Sequence, residues 1–143
     1  SGGPGIAVID RLSVSPTLKV VSACFAPIST KAILRSKTLR REVNRLGEST
    51  FRSILRDPRP STFMKASKAF AHGLGLMTPR TRQLIELMES SGAVGATQNM
   101  LGQAVHAVAE EDVADTVLRS VKKRFPEARA FTCDLDFAGA RLL

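Results

Sequence analysis

The residues best suited to chemistry lie in Ser90-Ser91-Gly92-Ala93-Val94-Gly95-Ala96-Thr97-Gln98-Asn99-Met100-Leu101-Gly102. Glycine and alanine let a backbone approach another surface closely. Exposed amides can hydrogen-bond a phosphate, the side chains of Gln98 and Asn99 a substrate or phosphate, and Thr97 belongs with the small residues that allow close packing. The segment is not a Walker loop, because it lacks Gly-Lys-Ser/Thr, and it is not a dinucleotide fingerprint. It reads either as a ligand-facing loop or as a plain connection. Ser29, Thr30 and Lys31 form a second candidate wall, where hydroxyls at a helix start stand beside a cation suited to a carboxylate.

Other chemistries find little support. His72 and His106 are far apart, and neither has cysteine neighbours at metal-ligand spacing, so no metal site is expected. His106 reads as a core or edge histidine. Cys24 and Cys133 fall inside apolar strands, which suits buried, inert thiols. Asp134 and Asp136 flank Leu135 near a strand end, where a turn edge accounts for them better than a cation.

Several elements must position these residues. Gly2-Gly3-Pro4-Gly5 is loop, Ile6–Ile9 a short strand candidate, and Ser13–Thr17 a connection. Leu18–Phe25 reads as a buried strand, apolar on both faces. Ser29-Thr30 caps a helix through Lys31–Leu34. A helical segment at Lys37–Leu46 stops at Gly47, and another at Ser49–Arg56 places Phe51, Ile54 and Leu55 on one face. Pro58 and Pro60 break it. Ser61-Thr62 caps the next, with Phe63, Ser67, Phe70 and Ala71 as its stripe to Gly73. Thr78 and Pro79 then open the clearest helix, with Leu84, Leu87 and Met88 inward and Gly92 at its end.

The last third changes period. Gly102–Ala109 reads as a strand. Glu110–Arg124 reads as a helix, with Val113, Val117 and Val121 every four residues, acids at its start and bases at its end. Ala128–Leu135 is a strand, and Ala140–Leu143 a short final one. The pattern predicts an α+β fold: a ferredoxin-like antiparallel sheet with extra helices inserted after the first strand.

Composition narrows the function classes. The 143 residues hold 21 Lys and Arg against 13 Asp and Glu, a net charge of +8. Between Lys31 and Arg82 there are 13 basic residues and only Glu42, Glu48 and Asp57 against them, which is +10; the remainder carries −2. Such a field attracts anions. The chain has seven Phe and no Trp or Tyr, which weakens any reading in which bases or sugars stack on exposed rings. No apolar run reaches the ~18 residues of a membrane helix. Two cysteines are too few for a disulfide scaffold, so a reducing cytoplasm is the expected setting.

Four segments together resemble the GHMP kinases, the family of galacto-, homoserine, mevalonate and phosphomevalonate kinases. Gly92–Gly102 resembles the family's third motif. Gly3-Pro4-Gly5 with Ile9-Asp10 is similar to a segment just after the middle of these proteins. Ala26-Pro27-Ile28-Ser29-Thr30-Lys31 resembles the passage opening their C-terminal domain, and Asp136-Phe137-Ala138-Gly139-Ala140-Arg141 their C-terminus. Thr97-Gln98-Asn99-Met100 stand where most members carry further glycines, which brings the archaeal pantoate kinase branch nearest.

The resemblance implies the C-terminal half of an ATP-dependent kinase, phosphorylating pantoate to 4-phosphopantoate in coenzyme A biosynthesis. Residues 1–17 are then an arm or remnant of the preceding domain, and 18–143 the C-terminal domain. The family's phosphate loop and its catalytic or metal-binding carboxylates belong to the other half. No catalytic residue is therefore expected here, ATP and Mg²⁺ are expected to bind mainly to that half, and this chain is expected to be inactive alone. Gly92, Gly95, Ala96, Thr97, Gln98 and Asn99 are the implied loop contacts. The implied partners are a small carboxylate substrate and the N-terminal domain, with a homodimer open and with neither nucleic acid nor membrane. Two readings from other classes stand beside it: a basic nucleic-acid-binding α+β module, and an anion-sensing ferredoxin-like regulatory domain.

Overall fold

The computed structural model describes residues 12–25, 37–75, 77–99 and 102–138. The Ile6–Ile9 and Ala140–Leu143 strands, the helix from Lys31 and the Ser29-Thr30-Lys31 wall lie outside them.

Leu18–Cys24 forms β1 and pairs antiparallel with β3 (Ala104–Glu110) on one side and β4 (Arg129–Asp134) on the other. A fourth strand, β2 (Gly95–Gln98), pairs antiparallel with the far side of β3. The sheet order is β2-β3-β1-β4. Three helices, α1 (Lys37–Arg56), α2 (Pro60–Gly73) and α3 (Pro79–Ser90), lie between β1 and β2, and α4 (Glu111–Arg124) joins β3 to β4. This is the expected ferredoxin-like α+β arrangement with helices inserted after the first strand.

Alternation along the strands makes one inner face. Val21, Ala23, Val105, Ala107 and Ala96 lie on it, fully buried against Leu84 and Met88 of α3 and Val117 and Val121 of α4. The helix ends follow local chemistry. Thr78 Oγ1 accepts from the Thr81 amide at 3.1 Å, and Pro79 occupies the first turn, where its missing N–H costs nothing. α4 carries Glu111 and Asp112 in its first turn and Lys122, Lys123 and Arg124 in its last, in line with its dipole.

Four sequence expectations are corrected. α1 runs unbroken through Gly47. A Cβ at Gly47 would meet Phe70 of α2 at an ordinary 3.9 Å, and Glu42–Arg45 and Glu48–Arg52 pairs support the exposed face. α2 begins at Pro60, so Ser61 and Thr62 lie inside its first turn and cap nothing; Thr62 Oγ1 donates to Asp57 at 2.5 Å instead. Met64 and Ala71 form the buried side of α2, while Phe63 is exposed. Cys133 is exposed on β4 and Cys24 only half-buried, because both lie on the sheet face turned from α3 and α4.

Candidate functional site

The segment expected to be a loop, ligand-facing or connecting, instead contains β2, and all four residues of that strand are buried. At Gly92 the chain turns with φ +106°, closed by amide bonds from Gly92 to Glu89 and from Ala93 to Met88. A side chain at Gly92 would meet Val113 of α4 at 2.8 Å. One at Gly95 would meet the Met64 Cβ of α2 at 2.6 Å. These glycines are where two helices close against the strand. Ala96 lies in the core, and its amide faces Glu89 Oε1 at 3.4 Å. Lys68 of α2 holds that carboxylate with bonds of 2.6 and 2.8 Å. α2, α3 and β2 thus share one polar clasp.

Pairing with β3 sorts the polar residues onto two faces. Gln98 takes the inner face, and its Nε2 donates to the Gly102 carbonyl at 2.8 Å, bracing the β2–β3 hairpin. Thr97 takes the outer face opposite His106, which is itself opposite Ser22. Asn99, two residues after Thr97, reaches the same histidine: His106 Nδ1 is hydrogen-bonded to Asn99 Oδ1. With the ring N–H assigned to Nδ1, Nε2 is the acceptor. The structure therefore brings Thr97, Asn99 and His106 together on one face and turns Gln98 to the other. Thr97 is only 1% exposed and Gln98 5%, yet Thr97 Oγ1 and Gln98 Oε1 make no hydrogen bond with a described residue. Buried acceptors of this kind are uncommon in native folds.

His106 lies within a strand, as a core or edge histidine would, but its partner Asn99 is not legible in the sequence. Its partner lies seven positions earlier, across a hairpin that appears only when β2 is recognised as a strand. Burial holds the imidazole's pKa below its ordinary 6.5. The unfolded chain, titrating near 6.5, takes up this proton first. The stability owed to the neutral ring is complete above 6.5 and is lost as pH falls through the window beneath it. We expect the denaturation midpoint to fall on acidification from pH 7.5 to 5, and His106→Gln to flatten that slope; an unchanged slope refutes the assignment.

The two aspartates have structural partners. Asp134 pairs with Lys19 at 2.6 Å, and Glu111 meets the same ammonium at 3.0 Å, so that the Lys19 pKa is raised. Asp136 accepts from the Ala138 amide at 2.7 Å in a turn. Among the described residues no three His, Cys, Asp or Glu side chains converge as a metal set. Among them, too, no helix is long and apolar enough to cross a membrane.

Residues 51–127 match the protein family described as GHMP kinases C terminal. Over 120 residues the chain is 23% identical to the pantoate kinase of Methanocaldococcus jannaschii, covering 83% of this chain and 44% of that protein. Over 114 residues it is 24% identical to the pantoate kinase of Thermococcus kodakarensis, covering 80% and 37%. The chain thus spans less than half the length of these relatives. A solved structure titled a phosphotransferase related to the CoA biosynthesis pathway superposes with a TM-score of 0.80 at 19% identity, covering 94% of this chain and 42% of that one. At that identity the superposition speaks for the fold.

Proposed function

Since the chain belongs to the GHMP kinase C-terminal family, we propose that it is the C-terminal half of an ATP-dependent kinase acting on pantoate. The observation that carries this reading is that two pantoate kinases match at least four fifths of the chain. The β2–β3 hairpin, with its buried unpaired oxygens, lies inside the family-matched span.

In this reading Gly92, Gly95 and Ala96 fix the strand against α2, α3 and α4. Thr97 and Asn99 then offer hydrogen bonds to substrate or phosphate from one sheet face, and Gln98 stiffens the hairpin that carries them. His106 orients Asn99. Phosphoryl transfer is mainly positioning and charge neutralisation, so a rigid polar wall is a fitting contribution. ATP supplies the γ-phosphoryl group that passes to the substrate hydroxyl. Mg²⁺ and the phosphate loop are assigned to the other half, as the family resemblance implies. Ser29, Thr30 and Lys31 are a second wall for the substrate carboxylate. A cytoplasmic setting is part of the same reading, in keeping with the two cysteines.

The test is turnover. The 143-residue chain alone, given ATP, Mg²⁺ and pantoate, is expected to release no ADP above background in a coupled assay. Joined to the upstream half of its parent protein, it is expected to form 4-phosphopantoate. Turnover by the isolated chain refutes the division between halves. A parent protein that ignores pantoate refutes the substrate.

A further inference from the structure

Two neighbouring hollows flank α2. The first lies between the end of α1 and the start of α2 and has a volume of about 610 Å³. Its acid, Asp57, is already engaged: Arg59 donates to both carboxylate oxygens at 2.7 Å, and Thr62 adds a third bond. Arg56 of α1 and Lys65 of α2 line the same hollow and form no ion pair with a described residue. Ser53 and Ser61 stand beside them with hydroxyls to donate. Two uncompensated cations with hydroxyl donors complement a phosphate in charge and in hydrogen bonding.

The second hollow, about 500 Å³, lies between α2 and α3 and shares Lys65 and Ala69 of its lining with the first. Ala69, Met77 and Ile85 give it an apolar lining. Its acid Glu89 is taken by Lys68. A basic, hydroxyl-lined hollow thus stands across Lys65 and the small Ala69 from an apolar one, a pattern that suits neither a bare anion nor a bare hydrocarbon.

We propose that the two hollows together bind one amphiphilic phosphate monoester, with its phosphate between Arg56 and Lys65 and its apolar body crossing Ala69 to Met77 and Ile85. None of Thr97, Asn99 or His106 lines either hollow; the Lys68–Glu89 pair that clasps β2 borders the second.

Octyl phosphate below its micelle concentration is the probe, titrated into the 143-residue chain and followed by amide proton–nitrogen correlation spectra. Saturable one-to-one binding is expected, with shifts confined to α2, α3 and the last turn of α1. It should be about tenfold tighter than inorganic phosphate or octanol alone. Lys65 is exposed, so Lys65→Glu should weaken binding about tenfold without moving the unfolding midpoint. Arg56→Glu, equally exposed on α1, serves the same purpose should the first variant lose its fold. The proposal is overturned by non-saturable partitioning, by shifts centred on the outer sheet face around Val108 and Phe131, by phosphate binding as tightly as its octyl ester, or by binding that folded charge-reversal variants leave unchanged.

Discussion

Gly95→Ala will destabilise the folded chain by about 3 kcal/mol, the upper part of the range for overpacked cores. The added methyl would sit 2.6 Å from Met64 Cβ and 3.4 Å from its Cγ. The obstacle is the first carbon of that side chain, one bond from the helix backbone, and no rotamer change moves it aside. α2 must instead lift from β2. α1 packs on α2, so the displacement reaches the outer helical layer as well. Thermal unfolding should shift downward by roughly 6–12 °C for a domain of this size. A second substitution separates this cause from a general loss of strand fit. Met64→Ala keeps the Cβ and will not rescue Gly95→Ala. Met64→Gly removes it, so Gly95→Ala will cost less on that background than on Met64→Ala, the cycle cancelling the cavity cost that loss of the buried Met64 side chain adds to both. A Gly95→Ala chain within about 0.5 kcal/mol of the parent chain, the ordinary spread for a harmless surface change, would show that α2 is not seated on β2 in this way.

Thr97→Val should move stability and activity in opposite directions. The side chain is buried and its hydroxyl oxygen makes no hydrogen bond with a described residue. Such a group costs about 1–3 kcal/mol when left unpaired. Valine keeps the branched shape that suits a strand and removes that oxygen. The isolated chain should therefore gain about 1 kcal/mol, seen as a midpoint some 2–4 °C higher. On the reading proposed above, the same change in the complete kinase would delete a hydrogen bond to a charged substrate or phosphate. A loss of about 1.5–3 kcal/mol there lowers kcat/KM roughly 10- to 150-fold. Lower stability with undiminished turnover would assign Thr97 to packing alone. Together, a chemical melt of the chain and a steady-state assay of the whole protein decide between the two roles.

Much of the fold was legible before any coordinates. β1, α3 and α4 announce themselves through apolar spacing, and α3 through Thr78 and Pro79 as well. What escaped has identifiable causes. β2 is Gly-Ala-Thr-Gln, with a single β-branched residue and no apolar alternation. Its strand state is imposed by hydrogen bonding to β3 and burial under α2. Gly47 and Pro60 carry breaker signals that depend on context: one sits in a helix close to α2, the other in a first turn that needs no N–H. Cys133 reads as buried from its apolar neighbours, but β4 has only one paired edge and its outer face is open.

The candidate site was half legible for the same reason. Thr97, Gln98 and Asn99 were visible as a polar run among small residues. Their division between two faces was not, nor was the bond between Asn99 and His106, because both depend on a register set by a strand partner. From sequence alone come the helix signals, the concentration of positive charge between Lys31 and Arg82, and the resemblance that pointed to the kinase family. These are written in neighbours one or two turns apart, or in motifs that survive as strings. The tertiary structure alone decided that Gly92 and Gly95 are contact points for Val113 and Met64, that Lys68 and Glu89 clasp β2, and that a histidine belongs to the polar wall. Those facts arise from residues far apart in the chain, whose environments come into being only when α2, α3 and β3 close around four small residues.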